Sequence, residues 1–190
     1  MEFWHESVKN DLETVLFTPE QIHNRISEMA AEITRHYRQH GVEELVVIGI
    51  LRGAVLFMSD LVRAIDLDVL IDFMSVSSYA DEAVSSGTVH IRKDIAIPIK
   101  DRHVLIVEDI IDSGLTMKCL TDLLQARQPA SLHVCSLLDK PARREVDCPL
   151  DFVGFTLEGA PFTVGFGLDY GDRYRNLPYI AALKPAVYQK

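Results

Sequence analysis

Two adjacent acids, Glu108 and Asp109, follow directly on the aliphatic and β-branched run 104–107. Such a run is typical of a strand that is buried on both faces of a parallel sheet. Ligands of open α/β sheets bind beyond the carboxyl ends of the strands, so acids at the end of this strand would face such a site. Ionised carboxylates only accept hydrogen bonds and therefore suit a ribose diol or a metal ion better than a phosphate. One solvated acid beside one acid paired with a base is the purely structural alternative.

A polar turn follows the acids and leads into a helical pattern. It comprises Asp112, Ser113, Gly114, Leu115 and Thr116. Backbone N–H groups at the start of a helix can hold a phosphate, and the two hydroxyls would add donors. The GxxxxGK[ST] spacing of a Walker loop is missing, which disfavours a nucleoside triphosphatase. A simple turn in which a serine or threonine caps the helix explains the same residues without a ligand.

Strands and helices alternate along the chain and would position this turn. Helical spacing and a capping box predict helices, while apolar runs between turn residues predict strands. The predicted helices are 18–40, 54–65 and 115–126, and the predicted strands are 45–51, 69–76, 88–92, 104–107, 132–138, 152–157, 163–168 and 180–183. This order predicts a parallel sheet with right-handed crossovers and a smaller cap from the C-terminal third. The small polar run 77–87 predicts a mobile hairpin or lid.

Composition narrows the class of protein. A chain of 190 residues with 48% hydrophobic and 25% charged residues predicts one folded domain. Its 28 acidic and 19 basic residues give a net charge of −9, which disfavours a nucleic-acid partner. The three cysteines are widely spaced and form no CxxC pair, which favours a reducing, cytoplasmic location. The N-terminus lacks a signal pattern and no apolar run is long enough to span a bilayer, so no membrane association is expected.

The stretch 104–116, VLIVEDIIDSGLT, closely resembles the phosphoribosyl-diphosphate (PRPP) binding motif of the purine phosphoribosyltransferases. Similarity to the hypoxanthine(-guanine) phosphoribosyltransferase family extends from about residue 46 to residue 175. It runs through GILRGAVLFMSDL, DFMSVSSY, LLDKPARR, DFVGF, VGFGLDY and YRNLPYI. The resemblance implies an α/β fold of the type I phosphoribosyltransferase kind, with a twisted, mainly parallel sheet flanked by helices. It implies one domain over 1–190, with a core at about 42–155 and a hood from the N-terminal segment and about 156–190.

The resemblance also implies an activity. A 5-phosphoribosyl group would pass from PRPP to N9 of hypoxanthine, guanine or both, giving IMP or GMP and pyrophosphate. The reacting carbon would become oxocarbenium-like while Mg²⁺ and fixed donors stabilise the leaving group. A homodimer or homotetramer is expected.

Roles for the central motif follow from the same resemblance. Glu108 and Asp109 would hold the ribose hydroxyls and the Mg²⁺ bound to them. Asp112 would exchange a proton with purine N7 as the general acid/base. The turn from Ser113 through Gly114 and Leu115 to Thr116 would cradle the 5′-phosphate.

Three further groups complete the implied site. Pyrophosphate would be bound by the turn Leu51, Arg52 and Gly53, in which a cis peptide bond precedes the basic residue. It would also be bound by Arg175, although Arg173 in the same loop could take that role instead. The lid would begin at Ser78 and Tyr79. The purine would meet Lys140 at its 6-oxo group, the stacking ring of Phe162 and the backbone of Thr163, and Asp169 would coordinate a second Mg²⁺.

Two alternatives stay open. Another phosphoribosyltransferase could use xanthine or a pyrimidine as acceptor, although Lys140 and Phe162 favour a 6-oxopurine. A regulator could keep the PRPP site and bind RNA. The net charge of −9 and the lack of a basic face interleaved with aromatic residues argue against this second possibility.

Overall fold

The structure is a computed structural model that describes residues 6–78, 89–159 and 161–189. The predicted lid residue Tyr79 lies outside these ranges, whereas the backbone of Ser78 ends a strand. No helix within the described ranges is long and apolar enough to cross a membrane.

The described chain alternates strands and helices as predicted. In order, the elements are β1 (Leu12–Phe17), α1 (Pro19–Gln39), β2 (Glu44–Leu51), α2 (Val55–Ala64), β3 (Asp68–Ser78), β4 (Val89–Lys93), β5 (His103–Ile111), α3 (Leu115–Gln125), β6 (Ser131–Asp139), a 3-10 helix (Pro141–Arg143), β7 (Phe152–Thr156), β8 (Thr163–Val164), β9 (Ile180–Leu183) and α4 (Pro185–Tyr188). Among the described residues, six strands form one sheet in the order β4-β3-β2-β5-β6-β7, in which β3 and β4 are the only antiparallel pair. The predicted α/β fold with a mainly parallel sheet is confirmed.

Helices cover both faces of this sheet. The capping box predicted at Thr18 forms, because its hydroxyl accepts from the Gln21 N–H while the Gln21 side chain accepts from the Thr18 N–H. The buried stripe of α1 packs with α2 on one face, and α3 packs on the other. The middle strands β2 and β5 are buried along most of their length, as their continuous apolar runs predict.

The central strand β5 is longer than predicted. Its pairing with β2 ends at Val107, which lies opposite Gly49. Its pairing with β6 continues to Ile111. The prediction that the strand stops before Glu108 and Asp109 is therefore wrong, because backbone pairing on the β6 side holds four more residues in the ladder. The two acids lie where β5 has only one hydrogen-bonded neighbour, which opens the sheet beside them.

In a small second sheet, strand β1 near the N-terminus pairs with strand β9 near the C-terminus. This sheet has the order β1-β9-β8, and both of its strand pairs are antiparallel. Strand β8 covers only two residues of the predicted run 163–168. The chain turns immediately after it at Gly165 and Gly167, whose φ angles are +99° and +101°. Such angles favour glycine and end the extended strand.

Candidate active site

The turn between β5 and α3 is held in place by the segment that follows β6. The carbonyl of Ser113 accepts from the N–H groups of Glu145 (2.9 Å) and Val146 (3.2 Å). Gly114 has φ +85° and is the N-cap of α3, with no side-chain capping bond. A Cβ at Gly114 would lie 2.8 Å from the Val146 carbonyl oxygen, so only glycine fits. Gly114, rather than a serine, threonine or aspartate, is thus the N-cap of α3, although the Ser113 hydroxyl accepts from the Leu115 N–H at 3.4 Å.

A cavity of about 190 Å³ lies over this turn. It brings together Glu108 and most of the turn that the sequence predicts to bind phosphate. The lining residues are Glu108, Ile110, Ile111, Asp112, Ser113, Gly114, Thr116 and Met117. The first acid of the pair and the polar turn therefore share one site at the carboxyl end of the central strand.

The acid pair is electrostatically unfavourable in the free protein. Burial, followed by the charge of Asp109, raises the pKa of Glu108 well above its usual range. Burial also raises the pKa of Asp109, although hydrogen bonds and the charge of Arg175 oppose the shift. Among the described residues, neither acid forms an ion pair within 4 Å. Within the described ranges, neither acid is therefore neutralised by an adjacent base, and a cation or hydroxyl donors would stabilise both carboxylates.

The turn after β2 packs directly against these acids. The peptide bond between Leu51 and Arg52 is cis, as the family resemblance implies. A Cβ at Gly53 would lie 1.6 Å from Asp109 Oδ2, so the carboxylate occupies the space that a larger residue would need. A Cβ at Gly167 would lie 2.1 Å from the Gly53 carbonyl oxygen. Close backbone contacts thus join this turn, the acid pair and the C-terminal loop.

The C-terminal loop brings basic and acidic side chains to the same place. Arg175 Nη2 lies 2.7 Å from Asp169 Oδ1, and Arg175 Nη1 donates to the Gly167 carbonyl (2.7 Å). Arg52 donates to Asp172, whose carboxylate also lies 3.3 Å from Arg175. The rival Arg173 instead lies over the ring of Tyr174, at 5.1 Å from its centroid. The structure therefore brings Arg175, rather than Arg173, together with the Arg52 turn.

Lys140 lies next to the turn and to Asp112, because its backbone N–H donates to the Ile111 carbonyl at 3.0 Å. Lys140 is 4% exposed, and its ammonium donates to the Pro161 carbonyl at 2.8 Å. Burial lowers the pKa of Lys140, and the charge of Asp112 opposes that shift. Asp112 Oδ1 is buried and has no hydrogen-bond partner in the described part of the chain, although Arg143 Nε lies 3.2 Å away. Sequence reasoning missed Arg143, because an arginine in a polar loop has no feature that separates it from a solvated side chain.

Phe162 belongs to a group of three aromatic rings. It stacks on Tyr188, with the centroids 5.0 Å apart and the planes at 30°, and meets Tyr170 edge-on at 5.3 Å. Thr163 is buried at the start of β8. The two tyrosines were not predicted as site residues. Tyr170 ends the LDY motif, whereas the four-residue helix α4 that carries Tyr188 is too short to show a periodicity.

Within the described ranges, no set of three or more histidine, cysteine, aspartate or glutamate side chains is grouped to hold a metal ion by itself. The predicted ligands fall into two places. Glu108 and Asp109 form one, and Asp169, which pairs with Arg175, forms the other.

Comparisons with known proteins agree on one family. Residues 18–171 match the phosphoribosyl transferase domain. The chain is 48% identical over 182 residues to a hypoxanthine-guanine phosphoribosyltransferase of Bacillus subtilis strain 168, which covers 96% of this chain and 99% of the relative. It is 49% identical to a hypoxanthine phosphoribosyltransferase of Haemophilus influenzae over 87% of this chain and 92% of the relative. The crystal structure of a hypoxanthine phosphoribosyltransferase from Staphylococcus aureus superposes with a TM-score of 0.92 at 46% identity, covering 98% of this chain and 99% of that one.

Proposed function

This chain belongs to the phosphoribosyltransferase family, and we propose that it is a purine-salvage enzyme that transfers the 5-phosphoribosyl group of PRPP to N9 of hypoxanthine, guanine or both. The products are IMP or GMP and pyrophosphate. One observation carries the proposal: Glu108, the first acid of the pair, and the glycine-capped turn line one cavity, and the buried Lys140 bonds through its backbone N–H to Ile111 of that lining. The acid and the turn can bind a ribose phosphate, and the lysine can donate a hydrogen bond to a carbonyl oxygen of a base.

PRPP offers a chemical partner for each part of the donor site. Its 5′-phosphate accepts hydrogen bonds from the turn 113–116, whose backbone N–H groups lie at the start of α3. Its ribose hydroxyls donate to Glu108 and Asp109, which lack cationic partners among the described residues. Its pyrophosphate meets Arg52 and Arg175, together with the backbone of Leu51 and Gly53. Guanidinium groups match phosphate oxygens well because they present paired N–H donors.

The donor set also fits Mg²⁺. This ion binds oxygen ligands and commonly combines one or two carboxylates with substrate phosphates and waters. Glu108 and Asp109 would hold one ion through the ribose hydroxyls, and Asp169 would hold a second. When bound, Mg²⁺ would neutralise charge on the departing pyrophosphate.

The protein's own groups act on the base and the reacting carbon. Lys140 donates to the purine 6-oxo group, while Phe162 and the backbone of Thr163 hold the ring. Asp112 exchanges a proton with N7 as N9 bonds to the ribose carbon. Water must be kept from an oxocarbenium-like carbon, a task that we assign to the lid beginning at Ser78 and Tyr79.

The experiment that tests this function is a parallel assay of acceptors. The protein is incubated with PRPP, Mg²⁺ and, separately, hypoxanthine, guanine, xanthine, adenine or uracil, and nucleotide formation is followed. We expect turnover with hypoxanthine, guanine or both. Exclusive turnover of xanthine or uracil would identify a different transferase. Salt-sensitive RNA binding without turnover would identify a regulator instead.

Replacing Lys140 should change the choice of base more than the use of PRPP. In Lys140→Met the aliphatic volume remains but the donor is lost. A hydrogen bond to a charged group contributes about 1.5–3 kcal/mol of free energy, so KM for hypoxanthine should rise about tenfold or more. KM for PRPP should stay within about twofold, and the preference for hypoxanthine over adenine should shrink. Lys118→Met, at an exposed lysine on α3, is the matched control. An unaltered ranking of acceptors would count against the assignment of Lys140.

We also propose that the protein acts in the cytoplasm as a homodimer or homotetramer. Large apolar side chains are exposed at the start of α2 and on β3, where Val55, Leu56 and Ile71 are 39%, 37% and 47% exposed. Burying these side chains against a second copy would remove apolar surface from water.

Ile71→Lys should dissociate this assembly. We expect the wild type to sediment as a dimer or tetramer and Ile71→Lys to sediment as a smaller species, because a charge replaces an apolar side chain at the interface. Ala126→Lys, at the exposed end of α3 on the opposite face of the sheet, should leave the sedimentation unchanged. A monomeric wild type at micromolar concentration would contradict the proposal.

A further inference from the structure

Two arginine side chains converge on one carboxylate beside the acid pair. Arg52 comes from the turn after β2 and Arg175 from the C-terminal loop, and both contact Asp172 Oδ1. Arg52 and Asp172 are 65% and 61% exposed, so neither is fixed by burial. The carboxylate links two elements that are 120 residues apart in sequence.

The loop places Asp172 in this position. Its backbone N–H donates to Asp169 Oδ2 at 2.8 Å, and its φ angle is +63°. Few residues adopt such an angle, and aspartate and asparagine are among those that do so most readily. The hydrogen bond from Arg52, followed by that from Arg175, lowers the pKa of Asp172. Asp172 is therefore an anion that is held between two guanidinium groups.

The carboxylate of Asp172 contacts the two arginines in the way that a bound phosphate would, because both anions accept hydrogen bonds from guanidinium groups. Two guanidinium groups that approach each other repel, and an anion between them relieves the repulsion. A diphosphate would use the same N–H donors as Asp172 and would carry more negative charge. The carboxylate and the diphosphate cannot share those donors, since they compete for the same hydrogen bonds and repel each other.

We propose that Asp172 is a stand-in anion that occupies the pyrophosphate-binding arginines in the free enzyme and is displaced when a diphosphate group binds. The inference rests on the proposed function and adds a positioning residue to it. By competing for Arg52 and Arg175, Asp172 weakens the binding of pyrophosphate and so favours release of this product.

Asp172→Asn tests the proposal. Asparagine tolerates the positive φ angle but cannot carry the charge. Calorimetric titration of the free protein with pyrophosphate in the presence of Mg²⁺ should show binding about two- to fivefold tighter than in the wild type, the range expected for exposed ion pairs. The inhibition constant of pyrophosphate should fall by the same factor, while KM for hypoxanthine and Tm should stay unchanged.

Asp66→Asn is the matched control, because Asp66 forms an exposed ion pair with Arg38 (2.6 Å) outside this cluster. It should not change pyrophosphate binding. Unchanged or weaker binding to Asp172→Asn, with a wild type that does bind pyrophosphate, would overturn the stand-in role and leave the proposed function intact. A wild type that binds no pyrophosphate would overturn both.

Discussion

Asp112→Asn is expected to reduce kcat by about 10²- to 10⁴-fold, the usual contribution of a proton transfer by a positioned side chain. The substitution keeps the size and shape of the side chain and removes its negative charge and its ability to take up and return a proton. The substitution would weaken one charged contact, because Arg143 Nε lies 3.2 Å from Asp112 Oδ1, a buried atom that has no hydrogen-bond partner among the described residues. The dissociation constant of PRPP should change by less than about threefold, since the role proposed for Asp112 is proton exchange with the base and not contact with PRPP.

Two measurements separate this role from a structural one. Single-turnover rates report the chemical step, and titration with PRPP reports binding. Asp122→Asn, an exposed residue of α3 that pairs with Lys118, is the control and should retain wild-type turnover. A kcat for Asp112→Asn within twofold of the wild type would contradict the catalytic role. It would indicate instead that Asp112 serves to hold Arg143, which lies 3.2 Å from its carboxylate.

Glu108→Gln should make the free protein more stable while it weakens PRPP binding. The pKa of Glu108 is raised in the folded state, chiefly by burial and then by the charge of Asp109. The folded state therefore binds a proton more tightly than the unfolded state. The stabilisation from that proton is complete below the unfolded pKa and is lost as the pH rises through the folded pKa. Above the unfolded pKa the wild-type acid therefore costs stability, whether it is ionised or keeps its proton, and a neutral glutamine avoids that cost.

The expected gain for Glu108→Gln is on the order of 1 kcal/mol at pH 8, about 2–4 °C in Tm for a domain of this size. The gain should shrink toward pH 4, where the wild-type acid is protonated. PRPP binding should weaken about 10- to 100-fold, because an acceptor for the ribose hydroxyls loses its charge. Glu44→Gln, in an exposed pair with Arg102, is the control and should show neither effect. A destabilised Glu108→Gln, or one with unchanged PRPP affinity, would contradict this assignment.

Much of the fold can be predicted from local sequence. The capping box at Thr18 predicts the start of α1, and the apolar runs predict β2 and β6. The end of β5 and the strand β1 cannot be predicted in this way. Both depend on pairing with distant strands, β6 for the first and β9 for the second. Local patterning carries no information about such partners.

The site, like the fold, has some features that local sequence predicts and others that depend on distant residues or on the family resemblance. The acids after an apolar run and the polar turn behind them predict an anion and diol site from chemistry alone. The roles of Lys140 and Phe162 come only from the family resemblance, since a lone lysine or phenylalanine has no distinguishing pattern. The same holds for the cis bond before Arg52, which has no local sequence signal. The contacts of Asp172 with Arg52 and Arg175 likewise have no local sequence signal, because only the folded chain brings these residues together.

The central claim is transfer of a phosphoribosyl group to an oxopurine, and the stoichiometry of one reaction tests it most directly. The protein is mixed with PRPP, Mg²⁺ and either hypoxanthine or guanine, and the nucleotide and the pyrophosphate are quantified together over time. We predict that IMP or GMP forms in equal amounts with pyrophosphate for at least one of the two bases, and that no pyrophosphate is released when the base is omitted. Release of pyrophosphate without nucleotide, or no turnover with either base, would contradict the account.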